Sequence, residues 1–220
     1  MINIIVAGGS IDIQFAKKFI EGFSKEERFI IACDKGFNSC ELMEIRPDMV
    51  IGDFDSAKDG TYIQVKSRGI NLILLNSEKD DTDSEAAVNY ILNSNEISGD
   101  IYILGATGTR LDHVVGNMSL VALGASKGRN ITLLDSHNRI TAIPPASSIT
   151  LERDLQFGKY ISVFPYMGVV TGLTMIGFKY PLNKVRLEGF NTLTVSNEIV
   201  DNQATISTES GYLIIMETKD

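Results

Sequence analysis

The sequence predicts an α/β fold: an N-terminal, open, mostly parallel sheet with flanking helices, followed by a C-terminal antiparallel β-sandwich. Up to about residue 135, short apolar runs alternate with amphipathic stretches of helical period, which is typical of parallel strands joined by helices. Beyond that point the helical period disappears, and short strand-like runs punctuated by Gly, Pro and Asn replace it. We therefore expect an α/β domain over residues 1–136 and a β-sandwich over residues 137–220.

Six apolar runs predict the strands of the first domain, at residues 2–7, 29–33, 48–52, 71–75, 100–104 and 130–134. Two helices between them are clearest. One begins at TDSE, where Thr82 and Glu85 have capping-box spacing, and extends to about residue 93. The other carries an apolar face made of Leu111, Val114, Val115, Met118, Ala122 and Ala125.

Five further runs predict the strands of the sandwich, at residues 139–144, 160–165, 172–178, 204–209 and 212–217. Short antiparallel strands with frequent turn residues are typical of such a domain.

Composition excludes several classes of protein. The formal net charge of −8 argues against binding to a nucleic acid backbone, which requires a basic surface. No stretch approaches the roughly 18 apolar residues needed to cross a bilayer, and the N-terminus resembles a first strand more than a signal peptide. The two cysteines, Cys33 and Cys40, fit a reducing compartment. We expect a cytoplasmic protein with neither nucleic acid nor membrane as a partner.

Acidic residues follow four successive predicted strands. Asp34 follows the second strand, and the third is followed by the unusual pair Asp53 and Asp55. Asp80 and Asp83 come after the fourth strand, and Asp112 comes after the fifth. Because ligands of parallel sheets bind outside the carboxyl ends of the strands, these acids are expected at one rim. Oxygen ligands in such a cluster suit Mg²⁺.

Four of these acids also have a structural explanation. Asp80, Asp83 and Asp112 lie near helix starts, where carboxylates cap free N–H groups and favour the helix dipole, and Asp34 suits a turn. The Asp53 and Asp55 pair is the hardest to explain in this way, since neither a cap nor a turn requires two acids there.

A small-residue loop, GATG at residues 105–108, precedes the helix that carries Arg110 and His113. Its backbone N–H groups can approach an anion closely, and the guanidinium of Arg110 suits phosphate. Carboxylates, a cation and a phosphate cradle on one rim together suggest metal-dependent transfer from a nucleoside triphosphate. A dinucleotide-binding oxidoreductase and a non-catalytic nucleotide or ligand sensor remain as alternatives.

Several segments together resemble the thiamin pyrophosphokinase (thiamin diphosphokinase) family: DKGFN, RPDMVIGDFDS, EKDDTDSEAA, GATGTRLDHVVGN, GFKYPL and TVSNE. The resemblance implies an ATP- and Mg²⁺-dependent diphosphotransferase that forms thiamin diphosphate and AMP. It also implies a homodimer with active sites between the subunits.

The same resemblance implies roles for individual residues. The implied Mg²⁺ ligands are Asp53, Asp55 and Asp83, which with Asp112 form the implied catalytic set. ATP-binding roles fall on Asp34, Gly36, Asp80, Thr107, Arg110 and His113. Thiamin-binding roles fall on Asp112, Tyr180, Ser196 and Asn197, with the aromatic ring of Tyr180 facing the cationic thiazolium. Two residues depart from the family pattern: Lys35 and Thr109 stand where many relatives have glycine.

Overall fold

The computed structural model of the chain describes residues 1–53, 60–76, 80–189 and 192–220. The predicted metal ligand Asp55 lies outside these residues. The chain separates into two compact units. The first comprises Met1–Leu120 with Leu133–Ser136, and the second comprises Val121–Thr132 with His137–Asp220.

The N-terminal part of the chain, residues 1–136, is built on a mostly parallel sheet. The strands are β1 (Ile2–Val6), β2 (Arg28–Cys33), β3 (Met49–Gly52), β4 (Asn71–Leu74), β5 (Ile101–Leu104) and β6 (Ile131–Leu134). All six predicted strands are confirmed, with ends that differ by one residue at most. The order β4-β3-β2-β1-β5 is parallel throughout. Residues Ile4, Ile5 and Val6 of the central strand are fully buried, which explains the unbroken apolar run.

In the described part of the chain, five α-helices accompany this sheet: α1 (Ile13–Glu21), α2 (Gly36–Leu42), α3 (Thr61–Ser67), α4 (Asp83–Asn93) and α5 (Leu111–Ser126). The predicted start of α4 is confirmed, because the Thr82 hydroxyl accepts a hydrogen bond from the Glu85 N–H at 3.2 Å. Asp12 caps α1 in the same way, through the Phe15 N–H at 3.0 Å.

The apolar face predicted for α5 is wrong in its first turns. Leu111 and Val115 are 79% and 65% exposed. On the opposite side of these turns, His113 and Asn117 border a cleft at the end of the sheet. In these turns the polar side chain of Asn117 is buried, whereas the apolar side chains of Leu111 and Val115 face solvent.

Both cysteines belong to the core of the first unit, where Cys33 ends β2 and Cys40 lies in α2. Burial raises the pKa of the Cys40 thiol to about 12, so this thiol is unreactive at neutral pH.

The second unit is antiparallel, as predicted. It contains β7 (Asn138–Ile143), β8 (Ser147–Glu152), β9 (Tyr160–Ile176), β10 (Leu182–Leu187), β11 (Gln203–Thr208) and β12 (Ser210–Thr218). The strands are arranged in the order β7-β12-β9-β11-β8, with β10 paired to β9. The buried side chains of Val163, Leu173, Ile206 and Leu213 belong to one apolar core.

Two details of this unit differ from the sequence prediction. The runs at 160–165 and 172–178 belong largely to the single strand β9. Met167 and Gly168, with φ of 54° and 144°, interrupt its regular backbone without ending it. Strands β8 and β10 were not predicted, because their sequences SSITLE and LNKVRL contain few apolar residues and are largely exposed.

A nearly buried ion pair joins β7 to β12. Glu217 is 3% exposed, and its carboxylate accepts two hydrogen bonds from Arg139, at 2.6 and 2.5 Å. The N–H of Phe157 donates to the same carboxylate at 3.0 Å. This network satisfies a charge that would be costly to bury alone.

Across the described ranges, no helix combines the length and the apolar character needed to cross a membrane.

Candidate active site

The order of the parallel strands reverses at β1. Strands β2, β3 and β4 follow one another on one side of β1, whereas β5 lies on its other side. Such a reversal leaves a crevice beyond the carboxyl ends of the central strands. Here glycines bring the two flanking loops together: the Gly9 N–H donates to the Gly105 carbonyl at 3.1 Å, and a Cβ at Gly9 would lie 2.4 Å from that oxygen.

A cleft of about 340 Å³ lies at this crevice. It is lined by residues 7–9, 33–35, 82–84, 105–106 and 108–110, with His113 and Asn117. Of the residues predicted for catalysis, ATP binding and metal binding, Asp34, Asp83, Arg110 and His113 are on its wall. Gly36, Asp53, Asp80, Thr107 and Asp112 are described and are not on the wall. The segments that follow β1, β2, β4 and β5 thus meet at the cleft, and of the acids predicted at one rim Asp34 and Asp83 line it.

Three acids interact electrostatically at the cleft. Burial raises the pKa of Asp34, the negative charge of Asp83 raises it further, and Asp53 adds a smaller effect in the same direction. Asp34 also packs against the end of β3, since its N–H donates to the Ile51 carbonyl at 3.0 Å. Asp53 and Asp83 therefore both lie close enough to Asp34 to act on it, although 49 residues separate Asp34 from Asp83 along the chain.

The carboxylates are not a ready-made metal cage. Within the part of the chain that the structure describes, no three His, Cys, Asp or Glu side chains are grouped closely enough to hold a metal ion. The donor set nevertheless suits a hard cation, because it consists of carboxylates whose mutual repulsion already disfavours ionisation of Asp34. A divalent cation would relieve that repulsion.

Gly36 has a packing role at the start of α2. A Cβ at this position would lie 1.9 Å from the carbonyl oxygen of Val6, in the central strand. Gly36 is buried and allows α2 to approach β1 closely. The neighbouring residue, Lys35, is exposed and lines the cleft.

The GATG loop is held from two sides. The Thr107 hydroxyl donates to the carboxylate of Asp135, and the buried side chain of Asn117 donates to the Ala106 carbonyl at 2.9 Å. Sequence reasoning missed Asp135 and Asn117. Asp135 directly follows β6, so the rule that located the other acids at strand ends would have found it if applied to the sixth strand.

Thr109 has a left-handed backbone conformation, with φ of 75°. This is unusual for a β-branched residue and explains why glycine suits the position in the family pattern. The side chain of Thr109 compensates by binding Ser10: its hydroxyl accepts from the Ser10 N–H at 3.1 Å and lies 2.9 Å from the Ser10 hydroxyl. These contacts tie the loop after β5 to the loop after β1.

Arg110 and Asp112 form an exposed, two-pronged ion pair before and at the start of α5. The guanidinium donates through Nε to Oδ1 at 3.1 Å and through Nη2 to Oδ2 at 2.5 Å. The hydrogen bond from Arg110 lowers the pKa of Asp112, and the same interaction raises the pKa of Arg110. Asp112 is therefore a weak base for as long as this pair persists.

The predicted thiamin-binding residues of the second unit differ in exposure. Tyr180 is 61% exposed, and Ser196 is exposed with a φ of 58°. Asn197, in contrast, is 4% exposed. Its side-chain amide is hydrogen-bonded to the main chain of Tyr180.

The fold and the cleft define a class of protein: an α/β unit with a ligand cleft at its switch point, joined to an antiparallel β unit. A family model described as thiamin pyrophosphokinase, catalytic domain, matches residues 20–133. A second, described as thiamin pyrophosphokinase, vitamin B1 binding domain, matches residues 147–213. The chain is 34% identical over 217 residues to thiamine pyrophosphokinase of Bacillus subtilis (strain 168), with 98% of each covered.

Solved structures agree. A crystal structure of thiamine pyrophosphokinase from Bacillus subtilis matches with a TM-score of 0.85 at 32% identity, covering 100% of this chain and 99% of that one. The yeast thiamin pyrophosphokinase structure matches with a TM-score of 0.80 at 17% identity, covering 99% and 86%, which bears on the fold alone. The chain belongs to the thiamin pyrophosphokinase family, a family of diphosphotransferases with ATP as co-substrate. This assignment favours the transferase interpretation over the oxidoreductase and the sensor.

Proposed function

We propose that this chain transfers the diphosphate group of ATP to the hydroxyethyl oxygen of thiamin, giving thiamin diphosphate and AMP. The observation that carries the proposal is the composition of the cleft. Asp34 and Asp83 face it together with Arg110 and several glycine main chains, and Asp53 acts electrostatically on Asp34. Acids for a cation and N–H groups for phosphate are what transfer from a triphosphate requires.

Mg²⁺ would be held by Asp53, Asp55 and Asp83, and it would neutralise charge on the transferred phosphates. The pKa of Asp34 is raised first by burial and then by the charges of Asp83 and Asp53, so two of the proposed ligands act on the same neighbouring acid, which supports this assignment. The all-carboxylate donor set also matches the preference of Mg²⁺ for oxygen.

The triphosphate would lie along the wall formed by Asp34, Arg110 and His113. Thr107 would contribute through its main chain, since its hydroxyl is already bonded to Asp135. The two remaining ATP-site assignments would act from outside the wall: Gly36 through packing, and Asp80 from an exposed position near α4.

In the reaction, the hydroxyl oxygen of thiamin bonds to the β-phosphorus while the bond from that phosphorus to the α,β-bridging oxygen breaks. The bridging oxygen leaves with AMP, and Asp112 takes the hydroxyl proton. Arg110 restrains the basicity of Asp112 through their ion pair. Transfer of the guanidinium of Arg110 to a phosphate would release that restraint when ATP binds.

The thiamin site would use the exposed ring of Tyr180 against the cationic thiazolium and the exposed hydroxyl of Ser196 as a hydrogen-bonding group. Asn197 belongs to the same site, from a buried position. We further propose a cytoplasmic homodimer with active sites between subunits. The exposed apolar side chains of Leu111 and Val115 support an interface, and the buried thiols of Cys33 and Cys40 suit a reducing compartment.

The direct test measures AMP formation from ATP with thiamin and Mg²⁺ each omitted in turn. The proposal predicts AMP only when both are present, in equal amounts to thiamin diphosphate. ATP binding without thiamin-stimulated AMP would overturn the proposal in favour of the sensor, and nicotinamide cofactor binding without ATP binding would favour the oxidoreductase.

A matched pair of variants tests the proton acceptor. Asp112→Asn is expected to lower kcat by about 100-fold while leaving both substrates bound, as loss of a general base does. Asp154→Asn, at an exposed acid in the second unit, is the control and should behave as the wild type. Near-normal turnover of Asp112→Asn would remove this role. Light scattering of the purified protein tests the dimer.

A further inference from the structure

The residue Asn197 lies at a junction in the second unit. Its main chain forms a bridge to β9, with the Asn197 N–H donating to the Ile161 carbonyl at 2.9 Å and the Ile161 N–H donating back at 2.8 Å. Its side chain points to a different segment, the one that carries Tyr180. Because Asn197 is 4% exposed, its amide depends on protein partners for its hydrogen bonds.

Those partners occupy nearly the whole amide. The oxygen Oδ1 accepts from the Tyr180 N–H and from the Glu198 N–H, each at 3.0 Å. The nitrogen Nδ2 donates to the Tyr180 carbonyl at 2.8 Å. An amide offers two acceptor positions and two donor hydrogens, so three of four are used and the oxygen is saturated. Little capacity remains for a ligand.

The amide also completes a short antiparallel ladder. Main-chain pairing between the two segments includes the Val200 N–H to the Gly177 carbonyl and the Lys179 N–H to the Glu198 carbonyl, both at 2.9 Å. At the next residue, Tyr180, the side chain of Asn197 takes the place of a strand. It binds both main-chain polar groups of Tyr180, which fixes the backbone from which a 61% exposed ring projects.

We propose that Asn197 is a positioning residue for Tyr180: it acts on thiamin through the ring of Tyr180 and makes no contact with thiamin itself. The inference rests on the proposed function, since it concerns the same thiamin site. It divides the SNE segment into an exposed contact residue, Ser196, and a buried support, Asn197. It also gives a physical reason why the GFKYPL and TVSNE segments occur together.

A double-mutant cycle on the full-length protein separates positioning from contact. Tyr180→Ala is expected to raise KM for thiamin about tenfold, as loss of a cation–aromatic contact would. Asn197→Ala should raise KM for thiamin by a similar factor when it is introduced into the wild-type protein, and by less than about twofold when it is introduced into Tyr180→Ala. KM for ATP should stay unchanged in all three variants.

A structural control comes from the same segment. Thr194 is 3% exposed, and its hydroxyl donates to the Val163 carbonyl. Thr194→Val should lower the melting temperature while leaving KM for thiamin unchanged. If Asn197→Ala does not fold, Asn197→Asp serves instead, because it retains the acceptor oxygen and loses the donor to the Tyr180 carbonyl.

Three results would overturn the inference. The first is that Tyr180→Ala and Asn197→Ala have independent, multiplicative effects on KM for thiamin. The second is an unchanged KM for thiamin in the Asn197 variants, and the third is an unchanged KM for thiamin in Tyr180→Ala. Each of these is read on an active wild type. Failure of the proposed function appears separately, as absence of thiamin-dependent AMP formation in the wild-type protein itself.

Discussion

The packing role of Gly36, which allows α2 to approach β1 closely, can be tested quantitatively. In Gly36→Ala, the new Cβ would lie 1.9 Å from the Val6 carbonyl oxygen, 2.8 Å from the Val6 carbonyl carbon and 3.2 Å from the Ala7 oxygen. The first distance is more than about 1 Å inside van der Waals contact. All three atoms belong to the main chain of the buried central strand and its end, so no side-chain rotation relieves the clash. We expect the free energy of unfolding to fall by about 3 kcal/mol.

Urea unfolding followed by circular dichroism measures this change. Gly116→Ala is the matched control, because Gly116 lies inside α5 and an added methyl group would meet no atom within 4 Å beyond its own helical turns. Alanine is the better helix former, so this variant should gain about 0.5 to 1 kcal/mol. Equal unfolding of Gly36→Ala and the wild type, with a raised KM for ATP, would refute the packing role and support direct contact with the nucleotide.

Three further changes are predicted. Thr109→Gly removes left-handed strain of about 1 kcal/mol and hydrogen bonds of similar worth. The unfolding free energy of this variant should stay within about 1 kcal/mol of the wild-type value, while KM for ATP rises several-fold. An unchanged KM for ATP would show that the rigidity of this loop is unimportant for ATP binding. Arg110→Ala should raise the pKa of Asp112, as measured by NMR titration, because the hydrogen bond from Arg110 lowers that pKa in the wild type. In the wild type the ion pair between Arg110 and Asp112 stabilises the fold at pH values above the ordinary carboxyl pKa. This stabilisation is lost as the pH falls through the lowered pKa of Asp112. Glu217→Ala should lower the free energy of unfolding, measured with denaturant, by about 2 to 3 kcal/mol. The loss is smaller than for a fully buried ion pair because the Arg139 side chain is 31% exposed. A loss below about 0.5 kcal/mol would contradict this prediction.

The parallel half of the fold was predictable because its signals are local. Each strand of the parallel sheet is dominated by apolar residues, and the start of α4 follows from the spacing of Thr82 and Glu85. One topological rule applied to strand ends located Asp34 and Asp83, which line the cleft, whereas Asp53, Asp80 and Asp112 lie off its wall. The rule also extends to Asp135, whose partner is Thr107.

Other features depend on tertiary contacts that a sequence pattern does not report. Strand β9 continues through Met167 and Gly168, where the sequence suggested a turn. The packing role of Gly36 becomes visible only beside the Val6 carbonyl. The burial of Asn197 and its hydrogen bonds to Tyr180 were likewise not visible in the sequence, because a polar residue in a motif gives no indication of whether its amide faces solvent or the main chain of a distant residue.

The most direct test of the central claim measures the Mg²⁺ concentration that gives half-maximal thiamin-dependent AMP formation. Asp53→Asn and Asp83→Asn preserve side-chain size while removing the charges proposed to hold the cation, and Asp154→Asn serves as the control. The account predicts at least a tenfold rise in the Mg²⁺ requirement for both substitutions and none for the control. A wild-type Mg²⁺ requirement in both variants would contradict the claim that these strand-end acids hold the metal.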